Sequence, residues 1–234
     1  MSRGLAATRS YDSRGLIVRR RCIGEADSLL SLVTPSGKLD CVVRSGQSSR
    51  RWSGLIEPLT LIEGRFAPGR SLESLRECKV LSGFTLLKQD LDRLTIAGRW
   101  CRLVHCSGAC GETAASLFKA LIWALVELES SSEAGKFKCL EDWLVVRMLS
   151  ANGSLPRFED LPQSNRVCEA ADEDQQNLLD RYLQALSFSP VSVCRELELP
   201  SQLRTAANYY LQPLLESVYP GSLEILQGQP AWKA

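Results

Sequence analysis

The chain has 234 residues, 44% hydrophobic and 24% charged, the balance of a globular protein of one or two domains with enough chain to bury a real core. Its longest strongly apolar run, Ala120 to Val126, falls far short of the roughly 20 residues that span a bilayer. Its first residues lack the apolar segment of a secretory leader, and nine cysteines without regular pair spacing argue against a disulfide framework and for free thiols in a reducing cytosol.

The formal net charge of +1 is unevenly spread. Residues 1–80 hold 14 Lys+Arg against 8 Asp+Glu, an excess of six, while residues 81–234 hold 14 against 19, a deficit of five. That asymmetry points to a basic binding domain followed by an acidic partner domain.

Residues 1–10 are small and polar with two arginines and read as a loose arm. A first strand opens with Leu16, Ile17 and Val18 and closes with Arg19, Arg20 and Arg21. A second runs through Leu29, Leu30, Leu32 and Val33, and Lys38 to Arg44 returns as a third. Pro35-Ser36-Gly37 between them is a hairpin turn, because proline presets φ and glycine accepts positive φ. After a loop with Arg50, Arg51 and Trp52, a fourth strand covers Leu59 to Phe66 and a fifth Leu75 to Leu81. Five short strands without a long intervening helix predict a small barrel or sandwich. An OB-type Greek-key barrel fits, and an SH3-like barrel fits the count nearly as well.

From Lys88 the period becomes helical. Leu91, Leu94, Ala97, Cys101 and Val104 share one face, and Gly108 and Gly111 stop the helix. A second helix spans Thr113 to Glu129, and its wide apolar sector predicts a central place in a bundle. Ser130 to Ser132 is a linker, Phe137 to Ala151 a third helix, and Asn152-Gly153 its stop. Residues 153–171 read as irregular. The acidic run Glu169 to Asp174 leads into a helix through Leu178, Leu179, Tyr182, Leu183 and Leu186, with carboxylates where the macrodipole favours them. The last helix begins near Pro200-Ser201, meets Pro213 as a kink or restart, and ends at Pro220-Gly221. The expected fold is therefore α+β: a five-stranded β-barrel over residues 1–82, then an all-α helical bundle over residues 83–234.

Three chemistries compete. Arg19 and Arg21 on one strand face, Arg20 on the other, Lys38 and Arg44 at the ends of the partner strand, and Arg50, Arg51 and Trp52 in the next loop offer cations with an aromatic nearby. Single-stranded nucleic acid takes this combination, because backbone charge and base stacking are satisfied separately. The bland alternative is ordinary solvated arginines with Trp52 in the core. His105, Cys106 and Cys110, with Cys101 nearby, do not form the C-x-x-C pairs of a zinc site, and Cys168 stands alone, so no metal is expected. His105 is the single histidine, and no third residue to orient a Cys-His pair is evident. No P-loop and no G-x-G-x-x-G occurs. No catalytic residue and no cofactor is expected, and the chain is read as a non-enzyme.

Residues GLIVRRRCIGEADSLLSLVTPSGKL followed by VVRSGQSSRRWSGLIEPLTLIE resemble the N-terminal domain of RecO, a family of bacterial recombination and repair mediators. The likeness rests on consecutive arginines passing into Gly24-Glu25-Ala26-Asp27, a Leu-rich strand ending at Thr34 before Gly37-Lys38-Leu39, and an Arg-Ser-Gly segment before Leu55-Ile56-Glu57-Pro58-Leu59. It is specific over residues 12–82 and weaker across the helices.

The resemblance implies an OB-fold with a helical domain, in a cytoplasmic, nucleoid-associated protein without a membrane segment. It implies binding of single- and double-stranded DNA, strand annealing, and help for RecA in replacing single-strand-binding protein, together with RecR. Carried over by position, the basic residues are Arg19, Arg20, Arg21, Lys38, Arg44, Arg50 and Arg51. The acidic C-terminal tail of single-strand-binding protein is expected to dock on the helical domain. Some family members bind zinc there through two C-x-x-C pairs. Here the corresponding residues 152–172 hold only Cys168, so no intact zinc-finger motif is expected. A protein adaptor in the same pathway, with weak or no DNA binding, is the alternative; an unrelated RNA-binding OB protein is a third.

Overall fold

The structure is a computed structural model, and it describes residues 10–131, 137–155, 173–194, 197 and 200–228. Five strands, β1 (Tyr11–Ile23), β2 (Asp27–Thr34), β3 (Gly37–Val43), β4 (Thr60–Ala67) and β5 (Glu73–Ser82), close into a barrel in the order β1-β2-β3-β5-β4. β1 is longer than its apolar core implies because it serves two neighbours. Residues Tyr11 to Ile17 pair antiparallel with β4, and Leu16 to Ile23 pair with β2. The register slips between Ile17 and Arg19, and a bulge there lets one strand bend from one partner to the next. β3 meets β5 in parallel at Cys41–Glu73 and Val42–Ser74. This closed strand order is that of an OB-fold, which decides against the SH3-like alternative.

The barrel interior is filled by alternate, inward-facing residues of the strands, among them Ile17, Leu30, Leu32, Ile62 and Phe66. Gly64 makes room there, since a Cβ on it would come within 2.8 Å of Leu75 Cδ1. A second core joins the barrel to the helices. Leu16, Val33 and Leu59 belong to the same buried cluster as Phe84, Trp100, Leu121 and Trp143. Gly37, at φ +117°, lies so near the loop before the helix that starts at Gly111 that a Cβ would sit 2.7 Å from the Ala109 carbonyl oxygen. The hairpin turn is thus also the point where the barrel abuts the helical layer.

The helices are α1 (Thr85–Gln89), α2 (Leu91–Cys106), α3 (Gly111–Ser130), α4 (Phe137–Ala151), α5 (Glu173–Phe188), α6 (Val191–Cys194), α7 (Ser201–Val218) and α8 (Ser222–Gln227). Asp90 caps α2, its Oδ1 accepting from the Asp92 and Arg93 amides at 3.0 and 3.1 Å. That cap puts Leu91 in the first turn, where it is exposed rather than on the core face. The centre of the bundle is α4, not α3. α3 leaves Trp123 and Val126 exposed, whereas α4 buries even Glu141 and Asp142. Those carboxylates are satisfied within the core. Glu141 accepts from Trp100 Nε1 at 3.3 Å and pairs with Arg99 and Lys138, and Asp142 accepts from Tyr182 Oη at 3.0 Å and pairs with Lys138.

Pro213 sits inside α7 without ending it. Its side chain and Tyr209, one turn earlier, are both exposed, so the carbonyl deprived of a partner can be hydrated. After Gly221, at φ +84°, the chain starts α8. The Glu216 carboxylate accepts from the Gly221 and Leu223 amides at 2.7 and 2.9 Å, and these bonds, the Leu223 one first, hold it below the usual carboxylate range. The short helices α1, α6 and α8 have no counterpart in the periodicity. The expected zinc-free segment, residues 152–172, lies outside the described residues from 156 on.

Candidate nucleic-acid interface

Beyond the bulge, the regular alternation of β1 sets its three arginines to different tasks. Arg20 turns toward the β3–β4 connection. Its guanidinium forms an ion pair and short hydrogen bond with Glu57, donates from Nη2 to the Gly46 carbonyl at 3.0 Å, and approaches Ser28 Oγ at 3.4 Å. With its side chain only 22% exposed, Arg20 ties that connection to β1. Arg19 and Arg21 face the other way, toward α2.

Between the β1–β3 surface and α2 lies a cleft of about 720 Å³. Arg19, Arg20, Arg21 and Lys38 line its barrel side, Arg20 at the edge beside Glu57, and Arg102 and His105 line its helical side. Its fixed charges are five cations against Asp40 and Glu57, an excess of three. Lys38 Nζ lies 3.3 Å from Asp40, which also accepts from Ser31 Oγ at 2.5 Å. Burial alone would raise the Asp40 pKa, but the Ser31 and Lys38 hydrogen bonds and the Lys38 charge bring it below the ordinary value. His105 moves down, chiefly through burial and then through the Lys38 charge, against a smaller upward pull from Asp40. It is therefore neutral at pH 7 and adds no charge to the cleft.

Arg44, Arg50 and Arg51 do not line this cleft. Arg44 is 80% exposed, with Asp27 at 3.9 Å. Arg50 and Arg51 form a single 3-10 turn with Trp52, its amide at Arg51 held by Ser49 Oγ at 3.3 Å. Arg51 donates to the Arg76 carbonyl at 2.7 Å and lies over the Trp52 ring at 5.0 Å. Trp52 itself is 5% exposed and packs inside the barrel with Ile56 and Phe66. Of the two roles the sequence left open for Trp52, base stacking as an interface residue and core packing, the structure shows the second: its faces are covered, because the turn that carries it plugs the barrel. On the β4 side, Arg14 and Arg65 are matched by Glu63 and Asp12 at 3.6 and 3.0 Å.

The eight residues expected at the interface thus separate into a cleft group, a second group on the loops, and one core residue. Sequence reasoning missed Arg102. Its signal was present: Gly98, Arg102 and His105 recur at i, i+4 and i+7, one stripe of a helix. Of the candidate metal or nucleophile residues, Cys101 is buried, which pushes its thiol up, while Cys106 and Cys110 are exposed. Among the described residues no three His, Cys, Asp or Glu side chains converge on a point that could hold a metal; Cys168 lies outside them. Nor is any described helix long and apolar enough to cross a membrane.

A closed OB barrel with a cationic cleft against an appended helical layer defines the class of protein. Residues 9–84 match the family model described as "Recombination protein O N terminal". The "DNA repair protein RecO" of Rubrobacter xylanophilus is 27% identical over 151 residues, 64% of this chain and 60% of that protein. The one of Syntrophobacter fumaroxidans is 29% identical over 189 residues, 80% of this chain and 74% of that protein. The one of an Anaeromyxobacter species is 36% identical over 88 residues, 36% of this chain and 35% of that protein. The barrel matches the N-terminal domain of RecO, and the chain is similar to RecO proteins over up to four fifths of its length. Its match spans about three fifths of the length of the Rubrobacter relative.

Proposed function

We propose that this protein works in bacterial DNA repair and homologous recombination as a non-enzymatic mediator. It binds single- and double-stranded DNA through the barrel, anneals complementary strands, and with RecR helps RecA replace single-strand-binding protein, whose acidic tail docks on the helical layer. The observation that carries this is the cationic cleft on the OB barrel, with three positive charges in excess. Phosphate binding needs several cations on one surface, since each neutralised phosphate releases counterions. The name of the similar proteins, DNA repair protein RecO, supports this reading.

The test is fluorescence anisotropy of a labelled single-stranded oligonucleotide titrated across salt. With three or four phosphate contacts, log K should fall against log salt with a slope of roughly −2 to −3. Salt-independent or undetectable binding would count against it. An adaptor that binds RecR-like or single-strand-binding partners without DNA is the second reading, favoured by the exposed Trp123 and Val126 on α3. Tight partner binding with no DNA affinity at moderate salt distinguishes it. Preference for an RNA over a DNA oligonucleotide in competition would indicate recognition of the 2′-OH instead.

A further inference from the structure

We infer that single-stranded DNA runs through the cleft between the barrel and α2, and that Arg102 of α2 is a backbone contact facing Arg19, Arg21 and Lys38 across it. This rests on the DNA-binding proposal and says where on the molecule one strand lies.

The cleft has the chemistry of one strand. Cations stand on both of its walls: Arg19 and Arg21 from β1, Lys38 from β3, and Arg102 from α2. Arg21 and Arg102 are exposed, and neither forms a hydrogen bond or ion pair with any described residue. Val18, Leu29 and Pro58 add apolar surface between the charges, against which base faces can lie. At about 720 Å³ the space falls in the range of single-ligand clefts, roughly 300–1,000 Å³. With α2 as a second wall, a strand in the cleft is contacted from two sides. No Phe, Tyr or Trp lines it, so stacking on aromatic side chains, the usual second contribution in single-strand grooves, is missing and phosphate contacts dominate. The loop arginines make a poorer strand site: Arg44 lies beside Asp27, Arg51 is spent on the Arg76 carbonyl, and Trp52 is covered.

The cleft also carries its own reporter. Cys106 lines it and is exposed, while Cys110 is exposed but outside it. The experiment pairs Arg102→Ala with this thiol. Because Arg102 is exposed and holds nothing in place, the variant keeps the wild-type fold. In anisotropy titrations it should bind a single-stranded oligonucleotide about threefold or more weaker, with a salt slope smaller by about 0.7, the contribution of one phosphate on a single strand. Arg102→Lys should restore the slope, and duplex binding should be unchanged in both. Saturating oligonucleotide should slow iodoacetamide alkylation of Cys106 but not of Cys110, read by mass spectrometry.

Wild-type affinity and slope in Arg102→Ala, or alkylation of Cys106 at its unprotected rate under saturating oligonucleotide, would overturn the cleft while leaving DNA binding intact. Binding lost instead in Arg44→Ala with Arg50→Ala would put the strand on the loops and also overturn it. Protection of Cys106 by inorganic pyrophosphate as effective as by the oligonucleotide would assign the cleft to a small anion. A wild-type protein that binds no oligonucleotide at low salt would remove both the DNA-binding proposal and this one.

Discussion

Arg20 and Arg21 are neighbours in sequence with opposite duties, and a strand's alternation is the cause. Arg20 is half of a bridge to Glu57 and the Gly46 carbonyl, while Arg21 points into the cleft. Arg20→Ala should therefore lower stability by about 1–2 kcal/mol, discounted because Glu57 is about half exposed and can be hydrated when its partner is gone. Arg21→Ala should change stability by less than about 0.5 kcal/mol and weaken oligonucleotide binding instead. Chemical denaturation of the two variants beside anisotropy checks this; equal loss of stability in both would refute the division. The run of three arginines was plain in the sequence. Which of them is structural was not, because Glu57 and Gly46 lie 37 and 26 residues away.

At the scale of elements, α4 shows how an apolar count misjudges a helix. Its sequence carries Lys138, Glu141, Asp142 and Arg147, while α3 is the more apolar helix. Yet α4 lies at the centre, and its charges are paired or hydrogen-bonded inside: Lys138 lies 2.8 Å from Glu141 and 3.2 Å from Asp142. Burial raises the Asp142 pKa, and Lys138 partly restores the charged form. Lys138→Ala leaves two buried carboxylates short of a cation. It should cost about 2–3 kcal/mol, less than a fully buried pair because Lys138 keeps some contact with water. Thermal unfolding of Lys138→Ala against Lys138→Arg measures it; a variant as stable as the parent would show that Arg99, Trp100 and Tyr182 suffice. Helix limits themselves were legible where caps and breakers are local, as with α4, which runs from Phe137 to Ala151 as its periodicity predicts. Helices of four to six residues such as α6 and α8 show too few turns to register a period.

For the whole molecule, the contact of the barrel with the helical layer is where pH should act. His105 faces Lys38, Asp40 and Arg19 across that contact, and its pKa is lowered from 6.5. The unfolded chain takes up a proton near 6.5 while the folded chain resists it. The stability this represents is present above about pH 6.5 and is lost as the pH falls below it toward the folded value. Melting temperature should therefore drop between pH 7.5 and 5.5, and His105→Gln should shrink that drop; an unchanged pH profile in the variant would refute the assignment. Strand alternation, the Pro-Ser-Gly hairpin, helical periods and the charge excess of the first third are properties of residues near one another in the chain, and each was readable without coordinates, as was the family likeness they carry. Barrel closure, the burial of Trp52, and the meeting of Arg102 with Arg19 and Lys38 depend on contacts between residues tens of positions apart. Local spacing does not encode which distant faces meet, so these were decided only when β1 bent from β4 to β2 and α2 packed across the result.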